Sequence, residues 1–244
     1  MFPYRDDNPT LRTPYITFVL IGLNVAVWLL VQGMGTDPRL AASVCELGLI
    51  PGELLARLPA GTPVEMGGYS CVTGPGRDWF TPVTSMFLHG GWLHLLGNMW
   101  FLWVFGNNVE DSMGRARFLL FYLMSGILAA GAQAVVNPAS RIPMVGASGA
   151  ISGVMGAYIV LYPRVRVHML IFLGIFITRI AVPAVFMLGY WFLLQLVGGL
   201  PSVARESGGV AFWAHAGGFV AGMVLVFLFR NPELIRERLR YNLP

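Results

Sequence analysis

Backbone amides and carbonyls cannot be left unpaired in hydrocarbon, so a chain that crosses lipid does so as helices or as a closed barrel. Six apolar runs of this chain have the composition of helical spans of about 17–25 residues. They lie near residues 15–34, 86–106, 118–136, 147–162, 180–199 and 209–229, the fourth being short and rich in small residues. Only 11% of the 244 residues are charged, where a soluble domain carries roughly 25%. Mean hydropathy is +0.66. Too few charges remain to cover a water-facing surface. The expected fold is therefore an all-α membrane protein, one six-span bundle over residues 1–244. The run 167–178, between Arg166 and Arg179, is too short to cross as a helix. It is expected at the interface or as a lead-in to the fifth span; a seventh span is the alternative.

All sixteen basic residues are arginines. With a cytoplasmic N-terminus, the inside segments hold Arg5, Arg12, Arg115, Arg117, Arg164, Arg166, Arg179, Arg230, Arg236, Arg238 and Arg240. The outside segments hold Arg39, Arg57, Arg77, Arg141 and Arg205. This asymmetry predicts both termini inside, and a seventh span would reverse the C-terminal arginines. The net charge of +4 fits that orientation rule better than a nucleic-acid patch. The expected location is a bacterial cytoplasmic (inner) membrane, crossed several times. Asp6, Asp7 and Pro9 precede the first span and no small-residue cleavage site follows a short apolar core, so that span is expected to be retained.

The first loop, residues 35–85, is then extracytoplasmic. Its Gly, Pro and short amphipathic pieces, such as 47–58, predict a structured cap that dips partly into the interface. Both cysteines, Cys45 and Cys71, fall in it. An oxidising compartment permits a bridge between them, the alternative being two free thiols. A bridge would contribute roughly 2–4 kcal/mol to the loop.

Candidate chemistry sits within the spans. Ser148 lies in Gly146-Ala147-Ser148-Gly149, after Pro143, where the fourth helix is expected to begin. Free amides at a helix start favour negative charge. A serine there can attack a carbonyl while those amides stabilise the oxyanion. The same serine also suits an N-cap or a small packing position. His215 lies in Ala214-His215-Ala216-Gly217-Gly218 of the sixth span. A neutral imidazole is far easier to bury than an imidazolium and can serve as a base, a structural hydrogen bond or a pore lining. Small residues recur at Gly149 and Gly153 in the fourth span and at Gly218 and Gly222 in the sixth. Such faces let helices approach closely, which would bring His215 to Ser148. No Asp or Glu lies within a span, so a Ser–His dyad without an acidic third member is expected. His94 and Asn98, four apart on one face of the second span, supply two donors for an oxyanion or for interhelical hydrogen bonds. His89, near Gly90-Gly91, reads as interfacial. A zinc site of His89, His94 and His215 lacks any His-Glu-x-x-His or Cys-x-x-Cys pattern. No metal or other cofactor is expected.

Together these residues resemble the rhomboid family of intramembrane serine proteases. The resemblance rests on His94-x-x-x-Asn98, on Gly146-Ala147-Ser148-Gly149 and on Ala214-His215-x-x-Gly218-x-x-x-Gly222, in order on successive spans. Phe80-Thr81-Pro82 before Phe87-Leu88-His89-Gly90-Gly91 adds to it, and it extends over roughly residues 15–229. It implies a six-helix core with a water-filled cavity open to the outside, Ser148 as nucleophile and His215 as general base. His94, Asn98 and the Ser148 amide would form the oxyanion hole. Substrates would be single-span membrane proteins cut near the outer end of their helix in the lipid bilayer. Two positions depart from the pattern. Some rhomboids carry a Tyr four residues after the nucleophile, packed on the histidine; here it is Ser152, and Trp213 or a neighbour on the fourth span would have to orient the imidazole. Many carry Trp-Arg in the first loop, where Arg77-Asp78 precede Trp79 here. A catalytically silent relative that binds membrane segments is the second reading, countered by Ser148 and His215 both being present. A transporter or channel would need charges or broken helices at mid-membrane in paired halves, which the chain lacks.

Overall fold

The computed structural model describes residues 2–66, 69–74, 78–173, 176–204, 210–241 and 243. Strand β1 (Phe2–Asp6) precedes helix α1 (Tyr15–Leu30). The first loop carries α2 (Arg39–Leu47), α3 (Pro51–Leu54), the strands β2 (Pro63–Met66) and β3 (Tyr69–Val72), and α4 (Thr81–Thr84). Then come α5 (Trp92–Met113), α6 (Arg115–Val136) and α7 (Ser148–Leu161). Strands β4 (Arg166–Leu173) and β5 (Phe176–Pro183) lead to α8 (Ala184–Ala204), α9 (Phe212–Phe229) and the cationic α10 (Pro232–Arg240).

The chain is mostly helical. Among the described residues three helices are long and apolar enough to cross a membrane: 115–136, 184–201 and 212–229; α1 and α7 are shorter apolar helices. It is an integral membrane protein. Helix α5 starts apolar but ends in Asn107, Asn108, Glu110 and Asp111, all polar groups with work to do. Glu110 accepts the Ile16 and Thr17 amides at 2.9 and 2.8 Å and the Thr17 hydroxyl at 2.8 Å. Because Pro14 offers no side-chain cap to α1, a carboxylate from another helix satisfies its orphan N–H groups. Asp111 likewise accepts the Leu11 and Arg12 amides at 3.0 and 3.1 Å and pairs with the buried Arg238 of α10. This end of the bundle is thus tied by ion pairs and caps, and both chain ends meet there.

Two small sheets are added to the all-α expectation. Strands β1, β4 and β5 form an antiparallel sheet in that order, and β2 pairs with β3. The run 167–178 is strand where described, in β4 and β5, and β5 leads directly into α8. The reason is an alternation of period two. Val165, Val167 and Met169 are buried, while Arg164 and Arg166 are exposed and His168 is half-buried. The fifth helix therefore starts at Ala184 rather than 180 and runs to Ala204. In the first loop, the amphipathic piece 47–58 is helical only at Leu47, the last residue of α2, and over the single turn of α3. Cys45 on α2 and Cys71 on β3 are joined by a disulfide that fastens the hairpin to the helix.

The core is set by glycine. A Cβ at Gly218 of α9 would run into the carbonyl of Gly149 on α7, and one at Gly222 into that of Gly153. On the other side of α7, Gly153 faces Ser125 of α6. Backbones therefore touch directly along α7 and α9, as small-residue faces in membrane helices permit.

Candidate active site

The N-terminal ends of α5, α7 and α9 meet at the end of the bundle opposite the Asp111–Arg238 pair. A cavity of about 470 Å³ opens among them, and His94, Gln133, Asn137, Met144, Ser148 and His215 are among its lining residues. Ser148 is the first residue of α7, and the helix ladder begins only with the Ile151 amide on the Ala147 carbonyl at 2.9 Å. The amides of the first turn thus point toward the cavity end with no carbonyl of their own helix to serve them.

The glycine contacts between α7 and α9 bring His215 to Ser148. Its Nε2 lies 2.7 Å from the Ser148 Oγ. For the imidazole to take the hydroxyl proton, Nε2 must be the bare nitrogen and Nδ1 must carry hydrogen. Nδ1 lies 2.9 Å from the Oε1 of Gln195 on α8, an acceptor that matches that tautomer. The Trp191 ring, one turn earlier on α8, sits 5.9 Å from the imidazole at an interplanar angle of 34°.

His94 lines the same cavity. The Gly90 amide donates to its Nδ1 at 3.2 Å, so the proton of the neutral ring resides on Nε2. That nitrogen faces Gly146, where a Cβ would come within 2.7 Å of it and 3.6 Å from the Ser148 Oγ. Gly146 has φ +125°, a conformation that L side chains rarely adopt. Two independent demands, backbone shape and space for His94, thus exclude a side chain there. Asn98 is buried one turn below and donates Nδ2 to the His94 carbonyl at 2.9 Å; it is not among the cavity-lining residues. On α6, Gln133 accepts the Ala214 amide at 3.3 Å through Oε1 and donates Nε2 to Asn137 at 3.0 Å, which fixes the start of α9 beside the cavity.

Several sequence expectations are corrected here. His89, expected beside a surface turn, is fully buried inside the protein, its ring 5.1 Å from that of His94, and neither ring nitrogen has a hydrogen-bond partner among the described residues. Its backbone is clamped by Gln32, which donates to the His89 carbonyl at 2.9 Å and accepts its amide at 2.8 Å. Trp213 does not orient the histidine; its indole N–H donates to the Gly199 carbonyl at 3.1 Å. Ser152, four residues after Ser148, donates to the Ser148 carbonyl at 2.6 Å. The partners of His215 come instead from α8, as Gln195 and Trp191. The available signal was Gln195 itself, the one amide side chain in the apolar run 184–199, since polar groups in spans are costly and usually used. Among the described residues no group of three His, Cys, Asp or Glu side chains converges to hold a metal ion.

A family model described as Rhomboid domain matches residues 76–232, more than half of the chain. The rhomboid protease GluP of Bacillus subtilis is 35% identical over 145 residues, covering 59% of this chain and 25% of that protein. Rhomboid-type serine protease 2 of Emericella nidulans is 31% identical over 187 residues, covering 73% of this chain and 33% of that protein. Rhomboid-like protein 11, chloroplastic, of Arabidopsis thaliana is 40% identical over 75 residues, covering 31% of this chain and 26% of that protein. The chain spans less than half the length of each of these relatives.

Proposed function

The chain belongs to the rhomboid family, and we propose that it is an intramembrane serine endopeptidase working through a Ser148–His215 dyad. The observation that carries this is the 2.7 Å contact between His215 Nε2 and Ser148 Oγ at the edge of a cavity. His215 takes the hydroxyl proton as Oγ attacks the scissile carbonyl carbon. Oxyanion charge is met by the Ser148 amide, by the His94 Nε2–H and by the second Nδ2 hydrogen of Asn98. The imidazolium then protonates the leaving amine, the peptide C–N bond breaks, and an acyl ester remains on Ser148. Water, deprotonated by the same imidazole, hydrolyses that ester and restores the hydroxyl.

We read α1, α5, α6, α7, α8 and α9 as six spans, with both chain ends on the cytoplasmic face of a bacterial inner membrane. The first loop, residues 35–85, is then an extracytoplasmic cap, and residues 1–244 act as one rhomboid-like unit. Substrates are single-span membrane proteins whose helix presents its outer end to the cavity. The test is reconstitution of the purified protein in liposomes with labelled single-span substrates. Cleavage by the parent should vanish in Ser148→Ala and His215→Ala, with non-additive effects because the pair acts as a unit. A fluorophosphonate probe should label Ser148. Substantial cleavage by well-folded Ser148→Ala, or labelling at another serine, would overturn the reading.

A further inference from the structure

We propose that Gln195 is a positioning residue that selects the working tautomer of His215, so that the base is assembled across the interface between α8 and α9. This rests on the dyad reading above. A carboxylate performs this task in many serine hydrolases by accepting the Nδ1 proton. Here the partner of Nδ1 is a neutral amide 2.9 Å away. A neutral amide carries both an acceptor and a donor, so its orientation decides which tautomer it favours. With oxygen toward the ring, Nδ1 must hold the proton and Nε2 is free to accept from Ser148. With nitrogen toward the ring, the tautomer reverses and the base is lost.

The orientation is set by α8 itself. Gln195 Nε2 donates to the Trp191 carbonyl one turn back, at 3.3 Å, and only the NH₂ end of the amide can satisfy a carbonyl. Gln195 is buried, so water does not compete freely for either end. Trp191 meanwhile places its ring against the imidazole and, at 5.9 Å, against Phe219. Ser152 on α7 is too small to reach the imidazole and is engaged with the Ser148 carbonyl. The support that a Tyr on α7 would give therefore comes from another helix. Helix α8 is held to α9 by the Phe192–Phe219 stack, with centroids 4.8 Å apart, and by the Trp213 bond to Gly199 at 3.1 Å. Separation of the two helices withdraws the acceptor from Nδ1.

The test reads the tautomer directly. In protein labelled with ¹⁵N-histidine, the ring signals of His215 are assigned by their loss in His215→Asn. The parent should carry its proton on Nδ1, and Gln195→Met should give a mixture of both tautomers. Gln195→Met should lower kcat and the rate of fluorophosphonate labelling by roughly 10–100-fold, less than loss of the acid in a full triad, with KM and the thermal midpoint near parental values. Gln195→Glu, which keeps an acceptor at the same place, should retain the Nδ1–H tautomer and label faster than Gln195→Met. A parent with its proton on Nε2, or an unchanged tautomer and labelling rate in Gln195→Met, would overturn the proposal. Should Gln195→Met fail to fold, the parent spectrum decides alone. Cleavage by Ser148→Ala, measured beside these spectra, separates the two readings. Cleavage that survives Ser148→Ala sinks the dyad and leaves the tautomer standing, whereas a dead Ser148→Ala beside an indifferent Gln195→Met sinks only the role of Gln195.

Discussion

Gly222 of α9 rests on the backbone carbonyl of Gly153 in α7, with no space between them for a Cβ. Together with Gly218 on Gly149, one turn away, this contact fixes how far the helix that bears His215 stands from the helix that bears Ser148. Replacing Gly222 with Ala must push α9 outward. Overpacking of this kind costs about 1–3 kcal/mol, which outweighs the gain of about 1 kcal/mol from better helix propensity. Gly222→Ala should lower the thermal midpoint and slow labelling of Ser148. Gly131→Ala on α6, where a Cβ meets nothing within 4 Å, should be neutral or stabilising in the same assay. Equal behaviour of the two variants would show that the glycine contact does not set the dyad distance.

The two proposed oxyanion donors, His94 and Asn98, should not be equal. His94 presents its Nε2–H beside Gly146, whereas Asn98 already gives one hydrogen to the His94 carbonyl at 2.9 Å. A fully used donor is worth up to about 10²–10³-fold in kcat. His94→Ala should approach that loss, and Asn98→Ala should cost less. Both should leave KM largely unchanged. If either variant loses only substrate affinity at parental kcat, its assigned role is wrong.

A pH response is expected from the opposite end of the molecule. Burial raises Asp6 from 3.8 to about 6, against the lowering effect of its hydrogen bond from Tyr158. Its Oδ2 also accepts Asn108 Nδ2 at 2.9 Å. The folded state binds the Asp6 proton more tightly than the unfolded state. The stability this provides is full below about 3.8, declines between 3.8 and about 6, and is lost above that. Asp6→Asn imitates the neutral side chain and should flatten the change in thermal midpoint between about pH 4 and pH 7. An identical pH dependence in parent and variant would remove Asp6 as the cause.

Much of this was legible in the chain for physical reasons that can be named. Helical spans declare themselves by composition, and the serine, histidine and glycine motifs fall at helix starts and on close-packed faces. The three-stranded sheet was missed although its signal was present. Arg164-Val165-Arg166-Val167-His168-Met169 alternates in period two, a pattern that belongs to a half-buried strand. Reading it for membrane length alone hid the alternation. Partners such as Gln195 for His215, or Glu110 for the start of α1, depend on which helices lie side by side. One-dimensional spacing within a helix does not contain that information. The burial of His89 was not legible because its neighbours Gly90 and Gly91 look like a surface turn, whereas Gln32, far off in sequence, holds the His89 backbone.

Access to the cavity is the last matter that the packing decides. Under the proposed function a helical substrate reaches Ser148 between spans, so some helix must yield. Helix α8 is the candidate by its aromatic side chains, and these divide into two groups. Phe186 and Tyr190 are exposed on the outside of the bundle. Trp191 and Phe192 pack inward, on His215 and Phe219 for the first and on Phe219 for the second. The loop that would hinge this helix includes Arg205, Glu206, Gly208 and Gly209, which lie outside the described residues. An aromatic pair contributes about 0.5–1.5 kcal/mol beyond its buried area, and each 1 kcal/mol removed from a closed state speeds opening roughly fivefold. Phe192→Val loosens α8 without touching the imidazole. It should speed cleavage of a membrane-embedded substrate about twofold to tenfold. A soluble, unstructured substrate, which needs no helix separation, should be cut at or below the parental rate, because a looser α8 also holds Gln195 to His215 for less of the time. Trp191→Ala removes the gate contact and the ring beside the base together, so it should slow both substrates. Cleavage rates of the two substrates by the two variants, with thermal midpoints measured alongside, provide the check. Faster cleavage of both substrates by Trp191→Ala would show that its ring does not support the base. Equal effects of Phe192→Val on both substrates would place the gate at another helix.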